Sequence, residues 1–208
     1  MSTAADCPPA AWHAFLRSRR SVRRFASRPV PESVVRRLLD TARWAPSAHN
    51  RQPWRWVVLH TPAARTRLAD AMSAAFRRDL EADGLPPDDI AARVARSRAR
   101  LLTAPVALLL AADLSVGDTY PDPARQQAET TMLIQSTALA GLQLLLAAHA
   151  EGLGGVWTCG PLFAPEAVRQ ALDLPAAWAP QALFYLGYPA HTPEPRPRQP
   201  LDTFVHWR

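Results

Sequence analysis

One long segment, Pro123–Ala150, constrains the fold of this chain more than any other. The spacing of its apolar residues predicts a single helix, and the glycines of Gly152–Gly155 end that helix because glycine tolerates left-handed caps. The part from Leu133 to Ala150 is the most apolar run of the chain, yet it contains two glutamines and a histidine. A buried central helix therefore explains it better than a membrane span does. We expect this helix to lie at the centre of the fold or in an interface.

The remaining segments alternate between helix and strand without a regular strand–helix–strand rhythm. Apolar spacing, together with proline and glycine breaks, defines each element. The predicted helices cover Pro8–Arg17, a segment opening at Pro31, Ala63–Leu80, Asp88–Leu102 and Pro165–Leu172, and the predicted strands cover Trp54–Leu59, Ala104–Ala112, Val156–Trp157 and Gln181–Gly187. This irregular order, without internal repeats, predicts an α+β fold rather than a doubly wound sheet.

The C-terminal segment, from about residue 189 to residue 208, is rich in proline and arginine. It cannot form a helix, and it offers few residues to a core. We therefore expect an arm that lies extended over another surface, that of a partner subunit. A length of 208 residues is most simply one domain, 1–208, with this arm at its end.

The chain contains no lysine, so all 24 of its basic residues are arginine. The formal net charge of +6 raises nucleic acid as a partner, but abundant alanine and proline point to GC-rich coding rather than to selection for polyanions. The absence of lysine excludes a Schiff-base lysine, covalent pyridoxal phosphate chemistry and a P-loop. We expect neither nucleic acid nor a membrane as a partner.

Cys7 and Cys159 are the only cysteines. They supply neither a disulfide framework nor a cysteine-based zinc site, and the six histidines are scattered, so no metal site is predicted. Met1–Pro9 has no basic-then-apolar signal sequence, which favours the cytoplasm. Known hydrolase and dinucleotide-binding motifs are missing. If the chain is an enzyme, a cofactor is expected to carry the reaction.

Two arginine clusters offer donors to an anion. The first consists of Arg19, Arg20, Ser21 and Arg23, and the second of Arg196 and Arg198, which are separated by a proline. Guanidinium groups present planar forks of donors that suit a phosphate, and the serine hydroxyl adds another donor. The alternative is a solvated helix end for the first cluster and a charged tail for the second.

Two further segments could line a ligand. The glycines of Gly152–Gly160 would allow the backbone to approach a flat ligand, although a plain turn is the alternative. Within that segment, Cys159 has no histidine in a recognisable arrangement and is better explained as a small wall residue than as a nucleophile. Ala45–Trp54 reads Ala-Pro-Ser-x-x-Asn-x-Gln-Pro-Trp, a polar connection whose groups belong at a surface or facing a polar ligand.

Together these segments resemble the nitroreductase family of flavin mononucleotide (FMN) enzymes over nearly the whole chain. The resemblance lies in Arg19–Arg23 with Phe25, in Ala45–Trp54, in Gly152-Leu153-Gly154 with Trp157, and in a closing set formed by Gly187-Tyr188-Pro189, Arg196-x-Arg198-x-Pro200-Leu201 and Val205-His206-Trp207. Four such motifs in the family's order make the likeness specific. It implies a three-layer α-β-α sandwich with a mixed central sheet, and a homodimer that exchanges its C-terminal arms and holds two flavins at the interface.

The same resemblance implies a role for each candidate residue. Arg19, Arg20, Ser21 and Arg23 would hold the flavin's ribityl and phosphate groups, Arg196 and Arg198 would complete the phosphate clamp, Pro46, Ser47 and Asn50 would reach the flavin from the partner subunit, and the backbone of Thr158, Cys159 and Gly160 would face the ring. Pro161 has no amide hydrogen, so a donor to the flavin N5 would come from Cys159 or Gly160.

The sequence therefore predicts an FMN-dependent oxidoreductase in which NADH or NADPH passes hydride to flavin N5 and N5 passes it to a small acceptor, with no catalytic side chain. A narrower likeness, at Phe76–Leu80, Thr119–Asp122 and Leu172–Pro175, is to the flavin domain that reduces a dehydro precursor in deazaflavin-coenzyme biosynthesis. Flavin-cleaving relatives that make a benzimidazole resemble Arg-x-Asp-x-Arg, whereas Ser21 stands here. Outside this class, a basic non-catalytic binding module and a flavin carrier or sensor stay open.

Overall fold

The elements of the fold follow the periodicity of the sequence closely. The structure, a computed structural model, describes residues 8–208. Its helices are α1 (Pro9–Ser18), α2 (Glu32–Ala42), α3 (Pro62–Ala82), α4 (Pro87–Thr103), α5 (Pro123–Ala150), α6 (Gly160–Phe163) and α7 (Pro165–Ala171), and its strands are β1 (Trp54–Val58), β2 (Val106–Asp113), β3 (Gly154–Thr158) and β4 (Trp178–Gly187). The short helix α6 was not predicted. Cys7 and most of the segment tested for a signal sequence lie outside the described residues.

The four strands form one sheet in the order β1-β2-β4-β3, and every pair of neighbouring strands is antiparallel. The α+β class is confirmed, but the predicted mixed sheet is corrected. Parallel pairing within residues 8–208 is limited to an isolated bridge between Ser21 and Gly155. Four residues after Ser21, the chain forms an antiparallel bridge beside the end of β4, between Phe25 and Pro189.

The sheet is covered on both faces, which confirms the three-layer sandwich. On one face α2 and α5 pack through Leu38 and Leu144 against β2 and β4. On the other face α3, α4 and α7 pack through Leu68, Leu101 and Val168. The central strand β2 is buried along its entire length, as expected of a continuous apolar run.

A β-bulge allows proline to lie inside the central part of the sheet. The register between β2 and β4 shifts so that Leu110 faces Ala182 and Ala111 faces Pro180, which leaves Gln181 as the extra residue. Its buried side-chain amide donates to the carbonyl oxygen of Ala179 at 3.0 Å. Proline cannot donate to a strand ladder, and a bulge is where a sheet tolerates it. Strand β4 begins at Trp178, three residues before the predicted strand, because the bulge lets the strand include Pro180.

The central helix α5 begins and ends where the sequence indicates. The Asp122 carboxylate accepts a hydrogen bond from the Arg125 amide at 2.9 Å, and Gly152 follows the helix with φ of +73°. Helix α5 passes a length and composition test for a membrane span, but half of its most apolar window is buried inside the fold. Gly141 brings it close to the sheet, since a Cβ there would lie 2.3 Å from the Trp157 ring. Helix α5 is therefore a core helix, as predicted.

The C-terminal arm, residues 189–208, is extended apart from one 3₁₀ turn at Leu201–Thr203. Its first part is attached to the body, because the amide of Ala190 donates to the Arg24 carbonyl at 3.1 Å. Further along, Phe204 and Trp207 are 65% and 88% exposed. The predicted extended arm is confirmed, and its apolar side chains have no cover within its own chain.

Candidate functional site

The fold brings the two arginine clusters into one cleft, which we call the arginine cleft. It has a volume of about 540 Å³ and is lined by Arg19, Arg20, Ser21, Arg23, Arg24, His191, Pro193, Glu194, Arg196 and Arg198. The N-terminal segment after α1 forms one side, and the beginning of the C-terminal arm forms the other. These segments are distant in sequence, and they meet because the chain around Phe25 pairs with the end of β4.

The arginine cleft carries an excess of positive charge, because six arginines and one carboxylate, Glu194, line it. None of its arginines forms an ion pair with any residue from 8 to 208. Burial, followed by the charges of Arg20 and Arg198, lowers the pKa of the Arg19 guanidinium below its ordinary value. Like charges held this close favour an anion between them, and guanidinium forks suit the oxygens of a phosphate.

Backbone carbonyls hold several of these guanidinium groups. Nη1 of Arg20 donates to the carbonyl oxygens of Arg17 and Arg19, at 2.6 and 3.0 Å. Nη1 of Arg198 donates to the Arg196 carbonyl oxygen at 3.1 Å. These contacts fix the arginine positions without neutralising their charge. In both arginines the contact turns Nη1 towards the side chain's own backbone, and the role of each towards a ligand stays a prediction.

A close backbone contact fixes the position of Ser21. The amide of Val22 donates to the Gly155 carbonyl at 3.0 Å, and Val22 is 3% exposed. A Cβ on Gly154 would lie 2.6 Å from the Val22 Cβ, a distance that real side chains do not adopt. Glycine at this position is therefore required for the segment carrying Ser21 to lie against β3.

The segment predicted to face the flavin ring continues from the same strand. Thr158 ends β3, and its hydroxyl donates to the Leu183 carbonyl at 3.0 Å, so its side chain serves the sheet. Cys159 is exposed, and its sulfur accepts a hydrogen bond from the Trp157 indole at 3.1 Å. The amides of Cys159 and Gly160 donate to no backbone carbonyl in the described chain. They are therefore free to donate to a ligand, whereas Pro161 has no amide hydrogen.

Thr158 lies three positions along β3 from Gly155, which pairs with Ser21. At the rise of a β-strand this is about 10 Å. An elongated ligand with an anionic end and a flat polar end could therefore extend from the arginine cleft to the amides of Cys159 and Gly160.

Pro46, Ser47 and Asn50 lie in a loop with unusual backbone geometry. His49, Asn50 and Gln52 have φ of 50°, 53° and 49°, in the left-handed region that favours glycine. Hydrogen bonds stabilise the loop: Ser47 Oγ accepts from the Gln52 amide, and Asn50 Oδ1 accepts from Gln52 Nε2, both at 3.1 Å. Each left-handed residue that is not glycine costs roughly 1 kcal/mol or more. Such strain is typical of functional loops.

This loop does not reach the arginine cleft of its own chain. The amide of Ala48 donates to Ser136 of α5 at 3.1 Å, whereas Ser18, next to the cleft, contacts His149 of α5 at 2.7 Å. Ser136 and His149 are 13 residues apart in one helix, which corresponds to about 20 Å. The structure thus brings together the two arginine clusters and the Thr158–Gly160 segment, and separates them from Pro46, Ser47 and Asn50.

His149 is a polar residue of the site that sequence reasoning missed. It lines a small cavity of about 180 Å³ beside the cleft, together with Arg19, Arg20 and the glycines before β3. The Ser18 hydroxyl donates to the Phe15 carbonyl, so its contact with His149 is a hydrogen bond donated by His149 Nε2. Burial, followed by the charges of Arg19 and Arg20, lowers the pKa of His149. The feature of the sequence that could have identified His149 is its position in the last turn of the predicted central helix.

The chain is similar to known proteins over most of its length. The profile of the Nitroreductase family matches residues 16–188. A Thermus thermophilus protein named NADH dehydrogenase is 35% identical over an aligned length of 214 residues. The alignment covers 91% of this chain and 92% of that protein. A 5,6-dimethylbenzimidazole synthase of Rhodospirillum rubrum is 35% identical over 172 residues, with 82% and 78% covered. A Desulfovibrio desulfuricans protein, solved in complex with FMN, has a TM-score of 0.70 at 26% identity, and the match covers 97% of this chain and 98% of that one.

Proposed function

The chain belongs to the nitroreductase family of flavin oxidoreductases, and we propose that it binds FMN and uses NADH or NADPH to reduce a small organic acceptor. The arginine cleft carries this proposal. It combines several uncompensated guanidinium groups with a serine hydroxyl, a donor set that fits a phosphate dianion. A single domain, residues 1–208, would supply the residues of each site, and reduced nicotinamide makes the cytoplasm the expected compartment.

The phosphate end of FMN would be held by Arg19, Ser21, Arg23 and the pair Arg196 and Arg198. Arg19 is partly buried and repelled by Arg198, so an anion that neutralises this charge gains more than it would at an exposed arginine. The ribityl chain would follow the backbone beside Gly155. Gly154 lets Val22 approach the strand here, which keeps Ser21 beside that backbone.

The ring end of FMN would face the amides of Cys159 and Gly160. FMN, once bound there, would supply the hydride-transfer chemistry between the nicotinamide and the acceptor. The protein's contribution is positional and electrostatic. Amides fixed between β3 and α6 donate towards the ring and stabilise negative charge on its reduced form, and no side chain needs to act as a nucleophile.

We further propose that Pro46, Ser47 and Asn50 complete the flavin site of a partner subunit in a homodimer. They are too far from their own cleft to contact the same ligand. Apolar side chains on α5 and the arm favour such a partner, because Leu139, Leu142, Leu201, Phe204 and Trp207 are between 43% and 88% exposed. Strand β1 also offers an unpaired edge to an arm, since it pairs only with β2 in the described sheet.

The purified protein should therefore be yellow, with an FMN absorption spectrum, and should oxidise NADH or NADPH when a nitroarene or quinone is supplied. Arg198→Ala should weaken FMN binding by at least tenfold, because hydrogen bonds to charged groups contribute about 1.5–3 kcal/mol. Arg77→Ala, which removes the same charge from the exposed side of α3, is the matched control. A colourless protein that does not take up added FMN would contradict the proposal.

Four further experiments separate this function from its alternatives. The similarity to a 5,6-dimethylbenzimidazole synthase makes cleavage of the flavin a second candidate function. However, Ser21 stands where the Arg-x-Asp-x-Arg motif of flavin-cleaving relatives has its aspartate. Chromatography of the flavin after aerobic turnover decides between them, because a reductase returns FMN intact. Reduction of the dehydro precursor of the deazaflavin coenzyme would assign the chain to the biosynthesis of that coenzyme. Steeply salt-dependent polyanion binding without flavin would favour a binding module, and bound FMN that no acceptor reoxidises would favour a sensor.

A further inference from the structure

A second cavity lies between α3, α4 and α6, on the face of the sheet opposite α5. We call it the α3–α6 groove. Its volume is about 400 Å³, and it is lined by Met72, Phe76, Asp79, Leu80, Asp83, Ser97, Gly160, Phe163 and Ala164. Most of its walls are apolar, with methionine, phenylalanine and leucine side chains contributed by α3 and a 78% exposed phenylalanine contributed by α6.

Two carboxylates give this apolar groove a negative charge. Asp79 lies in the last turn of α3 and Asp83 is the C-cap residue four positions later, with helical backbone angles, so the two lie on the same side of the helix end. Neither carboxylate forms an ion pair or a side-chain hydrogen bond in the part of the chain that the structure describes. The arginine cleft is lined by six arginines, whereas this groove is lined by two carboxylates and by no arginine.

The groove is continuous with the segment proposed to face the flavin ring. Gly160 belongs to both, and a Cβ on Gly160 would lie 3.0 Å from the Met72 methyl group. A ligand in the groove would therefore have one end at the acidic side of α3 and the other next to the amides of Cys159 and Gly160. The arginine cleft, in contrast, lies beyond the start of β3, so the two cavities are chemically opposite.

We propose that the α3–α6 groove binds an amphiphilic organic cation, an aromatic or aliphatic body that carries an ammonium group, and that this cation is the electron acceptor. Apolar walls bury the body, and the carboxylates select the positive charge. Anionic compounds of the same shape are repelled. The assignment as acceptor rests on the proposed flavin chemistry, whereas binding of the cation to the groove does not.

Direct binding is tested with benzyltrimethylammonium, which contains no reducible group, and with benzenesulfonate as the anionic counterpart. Calorimetric titration of the purified full chain should show that the cation binds and that the sulfonate binds much more weakly or not at all. The double variant Asp79→Asn/Asp83→Asn should bind the cation about three- to tenfold more weakly, the range expected for partly exposed charge pairs. Glu81→Gln, which removes one charge from the same helix outside the groove lining, should leave the affinity unchanged.

Turnover is tested on the FMN-loaded protein with 4-nitrobenzyltrimethylammonium and 4-nitrobenzenesulfonate. Wild type should prefer the cation in kcat/KM, mainly through KM, and the double variant should lose that preference while retaining its FMN spectrum and its reduction by NADH or NADPH. Equal affinity of wild type and double variant for benzyltrimethylammonium, or a preference for the sulfonates, would overturn the inference. A protein that binds the cation at Asp79 and Asp83 but takes up no FMN would disprove the flavin function and leave the groove assignment standing.

Discussion

Gly154→Ala should separate the geometry of the arginine cleft from the stability of the fold. The new Cβ would lie 2.6 Å from the Val22 Cβ, and ordinary contact begins at 3.4 Å, so the two backbones must move apart by 0.8 Å to restore ordinary contact. Rotation of the valine side chain cannot relieve the clash, since Cβ is fixed by the backbone. The segment that carries Arg19, Ser21 and Arg23 must therefore shift.

The expected loss of stability is modest. Overpacking of this kind costs about 1–3 kcal/mol, and replacing a strand glycine by alanine returns roughly 0.5–1 kcal/mol. The net destabilisation is then about 0.5–2 kcal/mol, or a fall in Tm of roughly 1–8 °C for a chain of this length. FMN affinity should fall more, because losing one charge-assisted hydrogen bond already weakens binding by about tenfold.

The assay is paired thermal unfolding and FMN titration by fluorescence quenching, with Gly84→Ala as the control. Gly84 has φ of +72°, and a Cβ there would meet no atom within 4 Å, so alanine introduces only backbone strain, of about 1 kcal/mol, far from the cleft. Both variants should lose comparable stability, and only Gly154→Ala should lose FMN affinity. An unchanged FMN Kd for Gly154→Ala, or an equal loss for Gly84→Ala, would refute the reasoning.

Three other outcomes follow from the described contacts. Gly141→Ala should lower Tm by several degrees, since its Cβ would lie 2.3 and 2.8 Å from two aromatic rings, and a raised Tm in a thermal melt would contradict this. Burial and the charges of Arg19 and Arg20 hold the pKa of His149 below its ordinary 6.5. As the pH falls below 6.5, the unfolded chain therefore binds more protons at this residue than the folded chain does. Wild type should therefore lose stability on acidification from pH 6.5 towards that lowered pKa, and His149→Gln should lose less over this range; parallel Tm–pH curves would exclude it. Asn50→Ala should release FMN during gel filtration while unfolding stays cooperative, and full FMN occupancy in an isolated monomer would contradict the shared site.

Features governed by local physics were predictable from the sequence. The bounds of α5 match the prediction because a helix-initiating Asp122-Pro123 pair and the left-handed Gly152 mark its two ends. The buried strand β2 was evident from its continuous apolar run. In each case the signal lies within a few residues of the structure it specifies.

Features that depend on distant segments were not predictable in this way. The bulge that accommodates Pro180 depends on the register with β2, which no local pattern of β4 encodes. Periodicity does not bring Arg198 to Arg19 either; the resemblance to a family suggested that they cooperate, and the pairing of Phe25 with Pro189 explains how they meet. The α3–α6 groove was not predicted for the same reason. Asp79 lies in one segment of the narrower family resemblance, but no local pattern shows that Asp79 and Asp83 line a cavity against α6.

The left-handed backbone at His49, Asn50 and Gln52 has a consequence for the timing of assembly. The hydrogen bonds that hold this loop are made within one chain, so this wall of the proposed shared site would be formed before a partner binds. Two rigid halves can then dock without a slow ordering step. The loop would be a preformed and rigid part of the site. The shape of the site would then not depend on whether the cofactor or the second subunit binds first.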